Sequence, residues 1–124
     1  MADELRSDVV GEDVAPPLFT VTNPAGTVAV TAYLNGSVQR VDLAPNVTEL
    51  TERELAEEIR VIADLAGLKA RSVMHAFLVE GMRRTGYDTA GLSAGLTRDM
   101  DMPTPEQAAK ATAQVFATRY GGEN

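Results

Sequence analysis

The feature that most constrains this chain is an unbroken, proline-free run from Thr51 to Arg84. It opens on Thr51-Glu52-Arg53-Glu54, the pattern of a capping box. Leu50 and Leu55 flank that box where a hydrophobic staple would sit. Glu49, Glu52, Glu54, Glu57 and Glu58 load the start, while Lys69, Arg71, Arg83 and Arg84 load the later half, the polarity a helix macrodipole favours. The run predicts one long helix over 51–84, a rod of roughly 45–50 Å at 1.5 Å per residue. What shelters a rod of that length decides the fold.

Its apolar residues form two stripes. Leu55, Ile59, Ile62, Ala66, Ala70, Val73 and Phe77 recur at steps of 4, 3, 4, 4, 3 and 4. Val61, Leu65, Leu68, Ala76 and Val79 make a second, offset stripe. Packing on a sheet needs one stripe, so two predict cover on two sides. The second cover is the C-terminal segment, a second copy of the chain or another protein, and a homodimer is expected. Gly67 interrupts the run at a cost of about 1 kcal/mol against Ala, and reads either as a close approach or as a bend.

Strand patterning precedes this helix, over 18–43. Phe19 and Val21 alternate with Thr20 and Thr22, then Asn23-Pro24-Ala25-Gly26 supplies a turn. Val28, Val30, Ala32 and Leu34 alternate with Ala29, Thr31 and Tyr33. Asn35-Gly36 predicts a two-residue type I′ hairpin. The alternation slips between Val38 and Val41, which predicts a bulge near Gln39-Arg40. The expected architecture is α+β: a three-stranded antiparallel meander, the long helix, a loop over 85–103 and a C-terminal helix over 104–120. A short helix around Leu92–Leu96 is allowed within that loop. Thr104-Pro105-Glu106-Gln107 caps the last helix and Gly121-Gly122 ends it.

Composition narrows the function. The 124 residues fit one domain, here 18–120. The net charge is −7, of which residues 1–17 carry −4, from five acids against Arg6. That segment ends in Ala15-Pro16-Pro17 and is expected to be a disordered acidic tail. With no cysteine and one histidine, disulfides, thiol nucleophiles and Cys- or His-rich metal sites are excluded. No signal peptide and no membrane insertion are expected, and a cytoplasmic location is. His75 is expected to be structural or solvated. Asp99 and Asp101 are too few for a calcium loop, and no glycine-rich loop is placed to cradle phosphate. Lys69, Arg71, Arg83 and Arg84 lack the aromatic neighbours of a single-strand binding face. No catalytic, cofactor or metal residues are expected, and a small hydrolase lacks a nucleophile and base.

Three blocks carry a resemblance. Leu18-Phe19-Thr20-Val21-Thr22-Asn23-Pro24 is the first. The second is Ala56-Glu57-Glu58-Ile59-Arg60-Val61-Ile62-Ala63-Asp64-Leu65-Ala66 with Lys69-Ala70. The third joins Pro103–Ala109 to Val115-Phe116-Ala117-Thr118-Arg119-Tyr120. Together they resemble the EspD/EspH family, ESX (type VII) secretion-associated proteins of mycobacteria. Those relatives carry a longer acidic region ahead of the first block, and the stretch 81–102 diverges from them. The resemblance implies a non-enzymatic, chaperone-like accessory protein whose partner is a type VII secretion substrate or another accessory protein. Val61, Leu65, Leu68, Phe116 and Tyr120 are the expected partner-binding or dimer surface. Exported relatives often carry a Tyr with an acid four residues on. Tyr87 and Tyr120 are followed there by Gly91 and Asn124, so the chain is not read as a substrate. The run from Gly26 through Leu43 and the long helix is also similar to the YbaB/EbfC nucleoid-associated proteins, which are dimers. That similarity implies a fold and, as the alternative function, DNA binding. The acidic balance makes nucleic acid the less expected partner.

Overall fold

The computed structural model of the protein describes residues 17–121. The segment expected as a disordered tail over 1–17 lies, apart from Pro17, outside the described residues. Three strands, β1 (Leu18–Thr22), β2 (Val28–Tyr33) and β3 (Val38–Leu43), form an antiparallel sheet in chain order. A 3-10 turn over Pro45–Glu49 leads into α1 (Glu52–Arg84), followed by α2 (Ala90–Asp99) and α3 (Pro105–Tyr120).

The turns explain the meander. In Asn23-Pro24-Ala25-Gly26, Gly26 donates to the Asn23 carbonyl at 2.9 Å and takes a positive φ of 75°. The Asn23 side-chain oxygen accepts from the N–H groups of Thr27 and Val28 at 2.9 and 3.1 Å, which fixes the return strand. The second hairpin differs from the expected type I′ turn. Asn35 keeps a negative φ and Gly36 alone is left-handed, at 92°. Gly36 N–H bonds the Tyr33 carbonyl and Tyr33 N–H bonds the Ser37 carbonyl, both at 2.8 Å, so the loop has three residues and closes with a glycine bulge. Asn-Gly suits both turns, and Leu34 joins the loop rather than the strand. The predicted bulge in β3 is present: Thr31 faces Arg40 while Ala32 faces Val38, leaving Gln39 as the extra residue.

The capping box expected at Thr51 forms, and the cap expected at Thr104 closes as a second one. Thr51 Oγ1 accepts from Glu54 N–H at 3.0 Å and Glu54 Oε1 from Thr51 N–H at 2.9 Å. Thr104 and Gln107 repeat the exchange at 3.1 and 2.9 Å. Each such cap is worth about 1 kcal/mol.

α1 lays its first stripe on the sheet. Ile62, Ala66 and Ala70 meet Val28, Val30 and Ala32, all of them fully buried, with Val21 and Leu65 beside them. Burial of a valine- or isoleucine-sized side chain contributes roughly 1.5–3 kcal/mol, so this patch dominates the stability. Gly67 sits where the β2–β3 hairpin touches the helix. A Cβ there would stand 3.2 Å from the Gly36 carbonyl oxygen, so the glycine serves close approach.

The interval 85–103, expected as loop, contains the ten-residue helix α2. Gly91 and Gly95 weaken its sequence signal, and tertiary bonds supply what propensity does not. His75, on α1, is 3% exposed. Its Nδ1 donates to the Met102 carbonyl and its Nε2 bonds Ser93 Oγ, each at 2.8 Å. A carbonyl only accepts, so in the neutral ring Nδ1 carries the proton and Nε2 accepts the Ser93 hydroxyl. α3 then runs back along α1, and Val115 and Phe116 pack on the edge of the core.

Candidate functional site

Four side chains from distant segments meet over the first turns of α1. Glu58 is 8% exposed. Its Oε2 accepts Asn23 Nδ2–H at 2.7 Å and the Tyr120 hydroxyl. Its Oε1 accepts Arg119 Nε–H and Nη2–H at 3.1 and 3.0 Å. Two carboxylate oxygens offer about four acceptor positions, and all are taken. Burial works to raise the Glu58 pKa, but the bonds from Tyr120, Asn23 and Arg119, with the Arg119 charge, outweigh it and hold the carboxyl below its usual value. Burial, then the bond to Glu58, pushes the Tyr120 phenol up to about 12, so it stays a donor at neutral pH. The Tyr120 ring stands edge-on to Phe116, with centroids 5.6 Å apart, and lies 5.8 Å from the Arg119 guanidinium.

A carboxylate that is ionised and saturated has no proton to give and no room for a ligand. The cluster therefore acts as a latch, tying the β1–β2 turn and the C-terminal end of α3 to α1. It forms the wall of an open groove of about 800 Å³ whose rim includes Asn46, Glu49, Arg53 and Glu54. Sequence reading treated Asn23 as a turn residue and Glu58 as one of several helix-start acids. Each of the three blocks that carry the family resemblance supplies a member of this latch: Asn23, Glu58, and the Arg119-Tyr120 pair. That shared placement was the available signal.

The five residues expected to form a partner surface are engaged within the molecule. Leu65 is 5% exposed in the core. Val61, Leu68 and Phe116 pack against that core, and Tyr120 is held by Glu58. α3 lies beside Val61 and Val73 of α1. A groove of about 590 Å³ remains between β1, α1 and α3, lined by Val21, Val73, Ala108, Ala109, Thr112 and Phe116, because alanines leave space where larger side chains would fill it.

The uncovered apolar surface lies elsewhere. Met74, Phe77, Leu78, Gly81 and Met82 share one side of the distal half of α1. Phe77 is 70% exposed, and Leu78 and Met82 are exposed with it. The strands, five or six residues long, span about 20 Å and end well short of this region. A second open patch is on β3, where Val38, Val41 and Leu43 sit on the helix side of the sheet yet stay exposed.

The basic residues considered for phosphate contact are engaged with neighbours. Arg83 and Arg84 both bond Glu80, and Arg60 bridges Glu57 and Asp64. Arg71 lies 3.9 Å from Asp101 and Lys69 donates to the Thr20 carbonyl at 3.4 Å. No group of three or more metal-ligating side chains is present among the described residues. Likewise, no helix among them is long and apolar enough to cross a membrane.

Fold and latch together define a small α+β protein in which a meander and a C-terminal helix clamp one long helix. Comparison with known proteins places it more closely. The chain is 47% identical over 109 residues to the ESX-1 secretion-associated protein EspH of Mycobacterium tuberculosis, covering 83% of this chain and 58% of that one. It is 42% identical over 110 residues to the ESX-1 secretion-associated protein EspD of the same species, covering 86% and 60%. Over most of its own length the chain is thus similar to members of the EspD/EspH family. It spans about three fifths of the length of these curated relatives. No protein-family model matches the chain, and no solved structure matches it.

Proposed function

We propose that this chain is a non-enzymatic, cytoplasmic accessory protein of a type VII (ESX) secretion system, chaperone-like in action, that holds a helical secreted partner against an apolar helix face. The observation that carries this is the distal end of α1, where Phe77 stands 70% exposed beside exposed Leu78 and Met82. An apolar helix stripe of this kind fits the groove-and-anchor logic by which amphipathic helices pair. The names of the EspH and EspD relatives support the secretion context. Val61, Leu65, Leu68, Phe116 and Tyr120 then set the angle between α1 and α3, and the docking face is the continuation of the same helix. A non-enzymatic role is also supported at the Ser93–His75 pair. Neither residue lines the 800 Å³ or the 590 Å³ groove, and the ring is buried.

The test is calorimetric titration of this chain with purified helical proteins secreted by the same ESX system. At least one should bind, and Phe77→Asp should weaken it tenfold or more without lowering the melting temperature. Equal affinity for wild type and variant, or no binding at all, overturns the proposal. Duplex DNA belongs in the same series: binding that falls steeply with salt would favour the YbaB/EbfC-type alternative.

A further inference from the structure

We propose that the open edge of β3 pairs antiparallel with β3 of a second copy about a two-fold axis at Val41. The phase of the β2–β3 ladder supports this. Ala44 N–H bonds the Thr27 carbonyl at 2.9 Å, and the register pairs Ala29 with Asp42 and Thr31 with Arg40. Backbone groups alternate along an antiparallel strand, so Arg40 and Asp42 turn theirs toward β2 while Val41 and Leu43 turn theirs outward, unpaired among the described residues. An edge of free N–H and C=O groups is a ready template for another strand. The side chains favour a second copy of this chain as the occupant. On the helix side of the sheet, Val38, Val41 and Leu43 are 48%, 38% and 45% exposed, a dense apolar row for an edge strand. On the other side, Arg40 and Asp42 carry opposite charges two residues apart and pair with each other at 3.0 Å while both stay half-exposed.

Only one register satisfies both sides. With Val41 opposite Val41 of the other copy, each Arg40 faces the other copy's Asp42, giving two reciprocal charge pairs over a shared apolar row. A shift by two residues in either direction brings Arg40 against Arg40 or Asp42 against Asp42, which opposes pairing. The result is a closed, isologous dimer with a six-stranded sheet. This interface does not depend on the secretion reading and lies apart from the distal half of α1.

The test is sedimentation velocity and light scattering on the full chain between 1 and 200 μM. The 13.2 kDa chain should run at twice its mass at the upper end. Arg40→Asp alone and Asp42→Arg alone should each remain monomeric, since each places like charges across the two-fold, with circular dichroism confirming the native fold. An equimolar mixture of the two variants should recover the dimer, because the charges then match between different chains. A wild-type chain that stays monomeric throughout overturns the proposal. So does a dimer that survives in both single variants, or one that is lost on Phe77→Asp instead.

Discussion

Removing the Glu58 carboxylate is expected to loosen both ends of the molecule at once. Glu58→Ala deletes the acceptor of four hydrogen bonds, two of them from Arg119. Breaking a fully buried ion pair costs roughly 3–5 kcal/mol. The Arg119 side chain is 32% exposed and rehydrates when freed, which lowers the cost. Asn23 is 4% exposed and keeps only Thr27 Oγ1 as an acceptor for its amide, which adds to it. The net expectation is about 2–4 kcal/mol at pH 7, or roughly 8–16 °C in melting temperature for a domain of this size. Glu58→Gln keeps one acceptor oxygen and should cost about half as much. The assay is urea and thermal unfolding followed by circular dichroism. A loss under about 0.5 kcal/mol in Glu58→Ala would refute the latch.

The same carboxyl sets a pH dependence. Its folded pKa lies below the unfolded value of about 4.3, so the unfolded state binds more protons as pH falls through that window. The stabilisation is present above the unfolded pKa and is lost as pH drops through the folded one. Wild type should therefore converge on Glu58→Gln in acid, and a gap that stays constant from pH 7 to pH 3 would contradict the assignment.

Further outcomes follow from single contacts. Gly67→Leu should cost about 1–3 kcal/mol by forcing the β2–β3 hairpin off α1, despite better helix propensity; equal stability in urea would remove the close-approach reading. His75→Ala should cost about 2 kcal/mol and speed proteolysis within 85–103, since both ring nitrogens bond that segment; unchanged cleavage rates would show that α2 is held by other contacts.

The local elements were legible because their signals are local. A capping box and an uninterrupted amphipathic run define α1, and period two defines the strands. Even the bulge showed itself as the slip between Val38 and Val41. Hairpin loop length was not fixed by Asn-Gly, because one left-handed glycine after a normal turn serves as well as two left-handed residues. α2 was muted by Gly91 and Gly95, and its stabilising bonds come from His75, 18 residues before Ser93. The latch was invisible to any local pattern: Asn23 and Arg119 lie 35 and 61 residues from Glu58 in sequence. Two stripes on α1 announced two covers, but the pattern could not say that α3 lies beside Val61 and Val73 while Phe77 stays exposed.

The most direct test of where a partner sits is hydrogen exchange on the complex with a secreted helical protein. The account predicts new protection concentrated at 73–84, with 104–120 unchanged. Protection centred on α3, or none anywhere along α1, would contradict it.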